Sequence, residues 1–148
     1  MSLDVDGLSQ LERYLEETPR RDAKKAVRKG LTPGMRKLVL SARQSAPVRT
    51  GRLRRAIKAK SANRRFLQRG EIAKDLFINP GKSRDDQKGA WYGQMVNSGY
   101  LKANGEHVPG RHFMEAAYQK TGNDAASIAQ EKILETLEQA ADEHLKTK

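Results

Sequence analysis

The residues of this chain that are able to do chemistry are not spaced to do it together. His107 and His112 lie five apart with Glu106 beside the first, which is too loose for the ligand pairs that a metal ion takes from a helix turn, and His144 falls on the flank of the last helical stretch. Asp85-Asp86 is a carboxylate pair in sequence only, because adjacent loop residues project apart and no base or metal ligand is near. Ser41, Ser45 and Ser98 have no histidine and acid at a spacing that would activate a hydroxyl. Gly30 and Gly34 follow no strand and precede no lysine-serine pair, so they miss both phosphate-cradling patterns. Trp91-Tyr92 could stack on bases, but within an apolar stretch the pair reads as core. There is no cysteine, so disulfide and thiolate chemistry are excluded. The expectation is a protein that is not an enzyme and takes no cofactor or metal. What remains is cationic: Arg49, Arg52, Arg54 and Arg55 fall within seven residues, followed by Lys58, Arg64 and Arg65. The chemistry open to that group is pairing with carboxylates or phosphates.

Charge is sorted along the chain. Residues 1–19 carry a net charge of −4, residues 20–70 a net of +17 with Asp22 as their sole acid, residues 71–121 a net of +1 and residues 122–148 a net of −3. A cationic block this dense concentrates anions, and nucleic acid, an acidic protein surface or a membrane face would answer to it. The Met1 to Asp6 stretch is acidic and lacks an apolar leader pattern, and no run approaches the roughly 18 apolar residues of a membrane span. A soluble, unsecreted protein with no membrane partner is expected.

The length of 148 residues fits a single domain, residues 1–148, with an acidic segment at 1–19 and a C-terminal helix within 122–148. At 36% hydrophobic and 5% aromatic residues its core must be thin, so neighbours are expected to complete it. Leu8, Leu11 and Leu15 predict a short helix ending near Glu17, before Thr18-Pro19. From Arg20 to Ala46, the residues Ala23, Val27, Leu31, Met35, Leu38, Val39 and Ala42 step by three and four, with Gly30 and Pro33 predicting a kink. Pro47 has no amide hydrogen and forces Ala46 out of helical geometry, so that helix must stop there; Thr50 is placed to cap a new turn through the permissive Gly51. Strands are predicted at 57–60 and 72–79, a turn at Asn79-Pro80-Gly81, and a third strand or helix-to-strand transition at 91–99. A long loop is expected over 100–110, a helix over 111–120, a break at Gly122-Asn123, and a last helix from Asp124 to about Leu145 burying Ile128, Ala129, Ile133 and Leu137. The fold class is α+β: a long kinked N-terminal helix and C-terminal helices on a small, mostly antiparallel sheet.

Three segments in order resemble the tail-completion, or neck, proteins of long-tailed double-stranded DNA bacteriophages. Ala46-Pro47-Val48-Arg49-Thr50-Gly51-Arg52-Leu53-Arg54-Arg55-Ala56-Ile57 is similar to that family's Ala-Pro-x-x-Thr-Gly-x-Leu-Arg-x-Ser-Ile junction, with Ala56 where serine is usual. Trp91 to Gly99 resembles its Tyr-(Ala/Gly)-x-x-Val-Glu-x-Gly segment, with Asn97 in the place of the acid. Val108 to Ala117 resembles its Pro-x-(Arg/Pro)-x-Phe-(Leu/Met)-x-x-Ala start of a C-terminal helix. Pro47, Thr50, Gly51, Leu53, Tyr92, Gly99, Pro109 and Phe113 are the structural residues that this likeness picks out. It implies a non-enzymatic virion component at the head-proximal end of the tail, assembled in several copies or a ring. Neighbouring tail-terminator, tail-tube or head-closure proteins would be its partners. The cationic residues 49–65 would then meet a neighbouring subunit; the alternative is a protein that binds the backbone of double-stranded DNA without sequence specificity. The loops 61–70, 82–89 and 100–109 are the expected contact arms, and the acidic ends of one copy would attract the basic block of the next.

Overall fold

The computed structural model describes residues 12–14, 16, 18–63, 65, 67–68 and 71–146. The frame is a pair of long helices, α1 (Arg20–Ser45) and α4 (Phe113–Lys146), which touch more extensively than any other two elements. They run antiparallel: Ala26 lies beside Thr136, Gly30 beside Ile133, Gly34 beside Ala125 and Ala129, and Lys37 beside Asp124. Between them the chain forms a short helix α2 (Arg52–Ala56), strands β1 (Ile57–Ser61) and β2 (Lys74–Ile78), a helix α3 (Gly93–Ser98), and strands β3 (Gly99–Leu101) and β4 (His107–Pro109). β1 pairs antiparallel with β2, Ile57 opposite Ile78, and β3 pairs antiparallel with β4, Gly99 opposite Pro109. The architecture is α+β, its strands forming two separate ribbons.

Small residues set the spacing of the frame. The buried line on α1 is Ala23, Ala26, Gly30, Gly34, Ser41 and Ala42, one step round from the predicted stripe, whose Val27, Leu31, Met35 and Leu38 are half-buried on its flank. A Cβ at Gly30 would press on the Ile133 backbone, and one at Gly34 on the Ala125 carbonyl oxygen, so both glycines are used for close approach. Gly30 and Pro33 sit inside one unbroken helix. The end of α1 follows the proline rule: Ala46 turns to φ −68°, ψ 136°, and its amide still closes the last turn on Ala42 O.

Two expectations fail. Gly122-Asn123 does not break the C-terminal helix, which runs unbroken for 34 residues. An interior glycine costs about 1 kcal/mol, and packing against α1 continues on both sides of it through Ala117 and Ala125. Asp124 therefore sits mid-helix, 3.3 Å from Lys37 Nζ, and not at a helix start. Of the two readings of 91–99 the helix-to-strand transition is the one found, α3 passing into β3 at Gly99, with Gly93 close against Ile78 and Leu53. The 100–110 loop is a hairpin, closed by Lys102 N donating to Glu106 O at 2.9 Å and by Gly105 at φ 81°. Most of the predicted first helix lies outside the described residues, though 12–14 and 16 are helical.

The core is thin, as the composition requires. One cluster joins Ala42, Ala46, Leu53, Ala56, Ile57, Ala90, Phe113 and Ala117; a second, at the other end of the frame, joins Ala23, Ala26 and Leu137 with Tyr14 and Ile133. Phe113, Ile57 and Leu137 are the largest fully buried side chains among the described residues.

Candidate functional site

The junction between α1 and β1 is built by opposing constraints on its backbone. Pro47 ends one helix, Gly51 takes φ 71° to start the next, and Thr50 Oγ1 accepts the Arg52 amide at 3.4 Å. Leu53, 4% exposed, packs in the first core cluster with Ala46 and Phe113, which fixes α2 against the core. The other residues singled out in the sequence converge on the same place. Tyr92 packs on that cluster, Phe113 is inside it, and the Gly99–Pro109 pair closes the ribbon beside it.

The seven cations divide into two groups. Arg52 is an internal clamp: its Nε donates to Gly89 O, and its Nη2 to the carbonyls of Arg84 (2.7 Å) and Asp86 (2.6 Å). Arg54 reaches back to the carbonyls of Ala46 (3.4 Å) and Gln44 (3.5 Å) at the end of α1. Arg43, not singled out beforehand, does the same for β1, donating to Ile57 O at 2.9 and 3.3 Å. Arg49, Arg55, Lys58 and Arg65 are exposed, and Arg64 lies outside the described residues. Sequence alone could not separate the two groups, because a clamping arginine and a free one look alike until the carbonyls they meet are placed.

The 82–89 loop is thereby a fixed element and not a loose arm. The Asp86 carboxylate accepts the amides of Lys82 and Lys88, both at 2.9 Å, and these bonds hold its pKa below the usual carboxylate value. A depressed pKa means that the bonds contribute fully above about pH 4 and are lost only as acid is added through the lowered value. Arg84 stacks over Trp91 at 4.8 Å, and Gly81 and Gly89 meet backbone to backbone. Replacing Arg52 with methionine keeps the bulk and removes the fork. The expected loss is about 1–3 kcal/mol, with hydrogen exchange of the 82–89 amides accelerating well before that of α1.

A second feature was invisible locally. Asn97, 4% exposed, accepts the Met114 amide at 3.0 Å on Oδ1 and donates from Nδ2 to both Glu115 oxygens at 3.1 Å, while its carbonyl takes the His112 amide at 2.9 Å. It caps the start of α4 from a distance of 17 residues, a role normally filled from the adjoining residue. His112, at φ 45°, makes the turn this docking requires.

Between the junction and α3 lies an open cleft of about 690 Å³, lined by Pro47 to Leu53, Tyr92, Val96 and Arg111. It presents Arg49 and Arg111 beside Val48, Tyr92 and Val96, while Arg52 on its wall is turned to the carbonyls of 84, 86 and 89, and none of its lining residues is a carboxylate. His107 and His112 are both exposed, with His112 Nδ1 4.0 Å from Glu115, and the three serines meet no histidine. Among the described residues no group of three or more histidine, aspartate or glutamate side chains is placed to hold a metal, and no helix is long and apolar enough to cross a membrane. Arginine forks beside apolar contacts suit the binding of another chain's acidic surface.

The family model described as "Bacteriophage HK97-gp10, putative tail-component" matches residues 9–99, a span holding α1, the junction, both strands of the first ribbon and α3. No curated protein and no solved structure matches the chain.

Proposed function

Because the chain belongs to the HK97-gp10-like family of bacteriophage tail components, we propose that it is a non-enzymatic subunit acting in head-tail joining or tail completion at the neck of a phage or prophage virion. It works there in several copies against tail-terminator, tail-tube or head-closure proteins. The observation that carries this reading is the convergence of the three resembling segments on one thin core: the junction, the α3 turn with Asn97, and the start of α4 are a single packed unit. Around it, apolar side chains stay in water: Val48 is 55% exposed and Leu101 70% exposed. The β3–β4 ribbon leaves Tyr100 and Leu101 exposed and its strand edges open to a neighbour.

The test is a phage in which this gene carries a stop codon. The expected lysate contains DNA-filled heads and finished tails that are not joined, and restoring the chain in trans joins them. Joined particles lacking the protein, or label on a tagged chain at the distal tail tip, would refute the position.

A second reading rests on the exposed cationic side of α1, where Arg20, Arg21, Lys25, Arg28, Lys29 and Arg36 face outward. Backbone contact with double-stranded DNA would then show as an affinity falling with salt at a slope near −0.9 per phosphate neutralised; affinity that does not change with salt removes this reading.

A further inference from the structure

We propose that the arginine cleft at the junction receives the acidic segment around Leu3-Asp4-Val5-Asp6 of a second copy of this chain, joining copies head to tail. Arg49 and Arg111 are exposed and have no carboxylate partner among the described residues, and the cleft floor of Val48, Tyr92 and Val96 is apolar. A phosphate would satisfy the guanidinium groups and leave that floor bare. An extended peptide alternating acidic and apolar residues meets both, because successive side chains point to opposite sides. Leu3, Asp4, Val5 and Asp6 alternate in this way, and residues 1–11 contain no lysine or arginine.

Reach decides that the donor is another copy. Tyr14 packs with Ala23, Ala26 and Leu137, at the start of α1, whereas the cleft begins at Pro47, beyond its end. From Ala23 and Ala26, where Tyr14 packs, α1 runs on for about 29–33 Å to Ser45. The six residues from Asp6 to Glu12, where the chain is already helical, cover at most about 20–22 Å, so a chain cannot bring Asp6 to its own cleft. An intermolecular contact between two different patches repeats from copy to copy, and closes into a ring when the rotation allows. This deepens the multi-copy part of the function proposed above and rests on it only there, since self-association can be measured without a virion.

The experiment uses the full-length chain in low salt, followed by sedimentation or native mass spectrometry. Wild type associates, and association weakens as salt is raised. Arg49→Glu/Arg111→Glu and Asp4→Arg/Asp6→Arg each associate at least tenfold more weakly, and an equimolar mixture of the two recovers, because each then offers the charge that the other lacks. The acidic-segment variant leaves every described residue of both core clusters unchanged, so it reports even if the cleft variant is unstable. A monomeric wild type, an Asp4→Arg/Asp6→Arg chain that associates normally, or a mixture that does not recover would overturn the proposal. So would loss of duplex-DNA binding in the cleft variant with association unchanged, which would assign the cleft to phosphate.

Discussion

Gly34→Val is expected to cost at least about 3 kcal/mol, at the upper end of what overpacking a filled interior causes. In a domain of this size each kcal/mol lowers the melting temperature by about 2–4 °C, so the transition should fall by roughly ten degrees. The first atom of the new side chain already presses on the Ala125 carbonyl oxygen, and the Ala129 methyl is 2.9 Å away. Neither can turn aside, since one is helix backbone and the other has no rotamer. The helices must separate, and everything α1 and α4 bury together is loosened at once. Gly122→Ala provides the opposite sign on the partner helix: its Cβ would sit 3.5 Å from the Tyr118 ring, an ordinary contact, and the change should stabilise by up to about 1 kcal/mol through helix propensity. Thermal unfolding of the two variants beside wild type measures both. Equal melting temperatures for Gly34→Val and wild type would show that the two helices do not pack as closely as described.

Leu53→Asp is the second large effect. The side chain is 4% exposed among Ala46, Ala56, Ile57, Ala90 and Phe113, none of which can accept or donate through its side chain. Three arginines adjoin it in sequence, yet Arg52 is held by the carbonyls of 84, 86 and 89, Arg54 reaches toward Ala46 and Gln44, and Arg55 is outward. A carboxylate placed there is buried without a partner, which costs about 3–5 kcal/mol, a large share of the roughly 5–15 kcal/mol that holds a domain together. The junction should come apart, taking assembly with it. Leu53→Met, which keeps volume and polarity, should lose less than about 1.5 kcal/mol. Urea unfolding and size-exclusion profiles test the pair; an aspartate variant that unfolds and assembles like wild type would take the junction out of the core.

The sequence was most legible where one residue dictates local geometry. Pro47 ended α1 at the expected position, Gly51 started α2, and the strands at 57–61 and 74–78 fall within two residues of their predicted limits. It was least legible where distant segments decide. Gly122 and Asn123 look like a helix end until α1 is laid along both sides of them. The strands β3 and β4 are three residues each, too short to show alternation, and exist through pairing with one another. Arg52, read as part of a docking surface, spends its donors on the protein's own loop, and Asn97 caps a helix it does not adjoin. Arg49, Arg55, Lys58 and Arg65 are exposed, and Arg111, which completes the cleft, carries no local sign of that place, because the pairing of β3 with β4 brings it there.

The threonine at 136 bonds to the carbonyl of Ala26, 110 positions earlier. A frame closed by partners that far apart waits during synthesis, because α1 emerges long before α4 exists and has nothing to pack against until it does. Products cut short before residue 113 therefore lack the partner that buries the Ala23 to Ala42 line of α1.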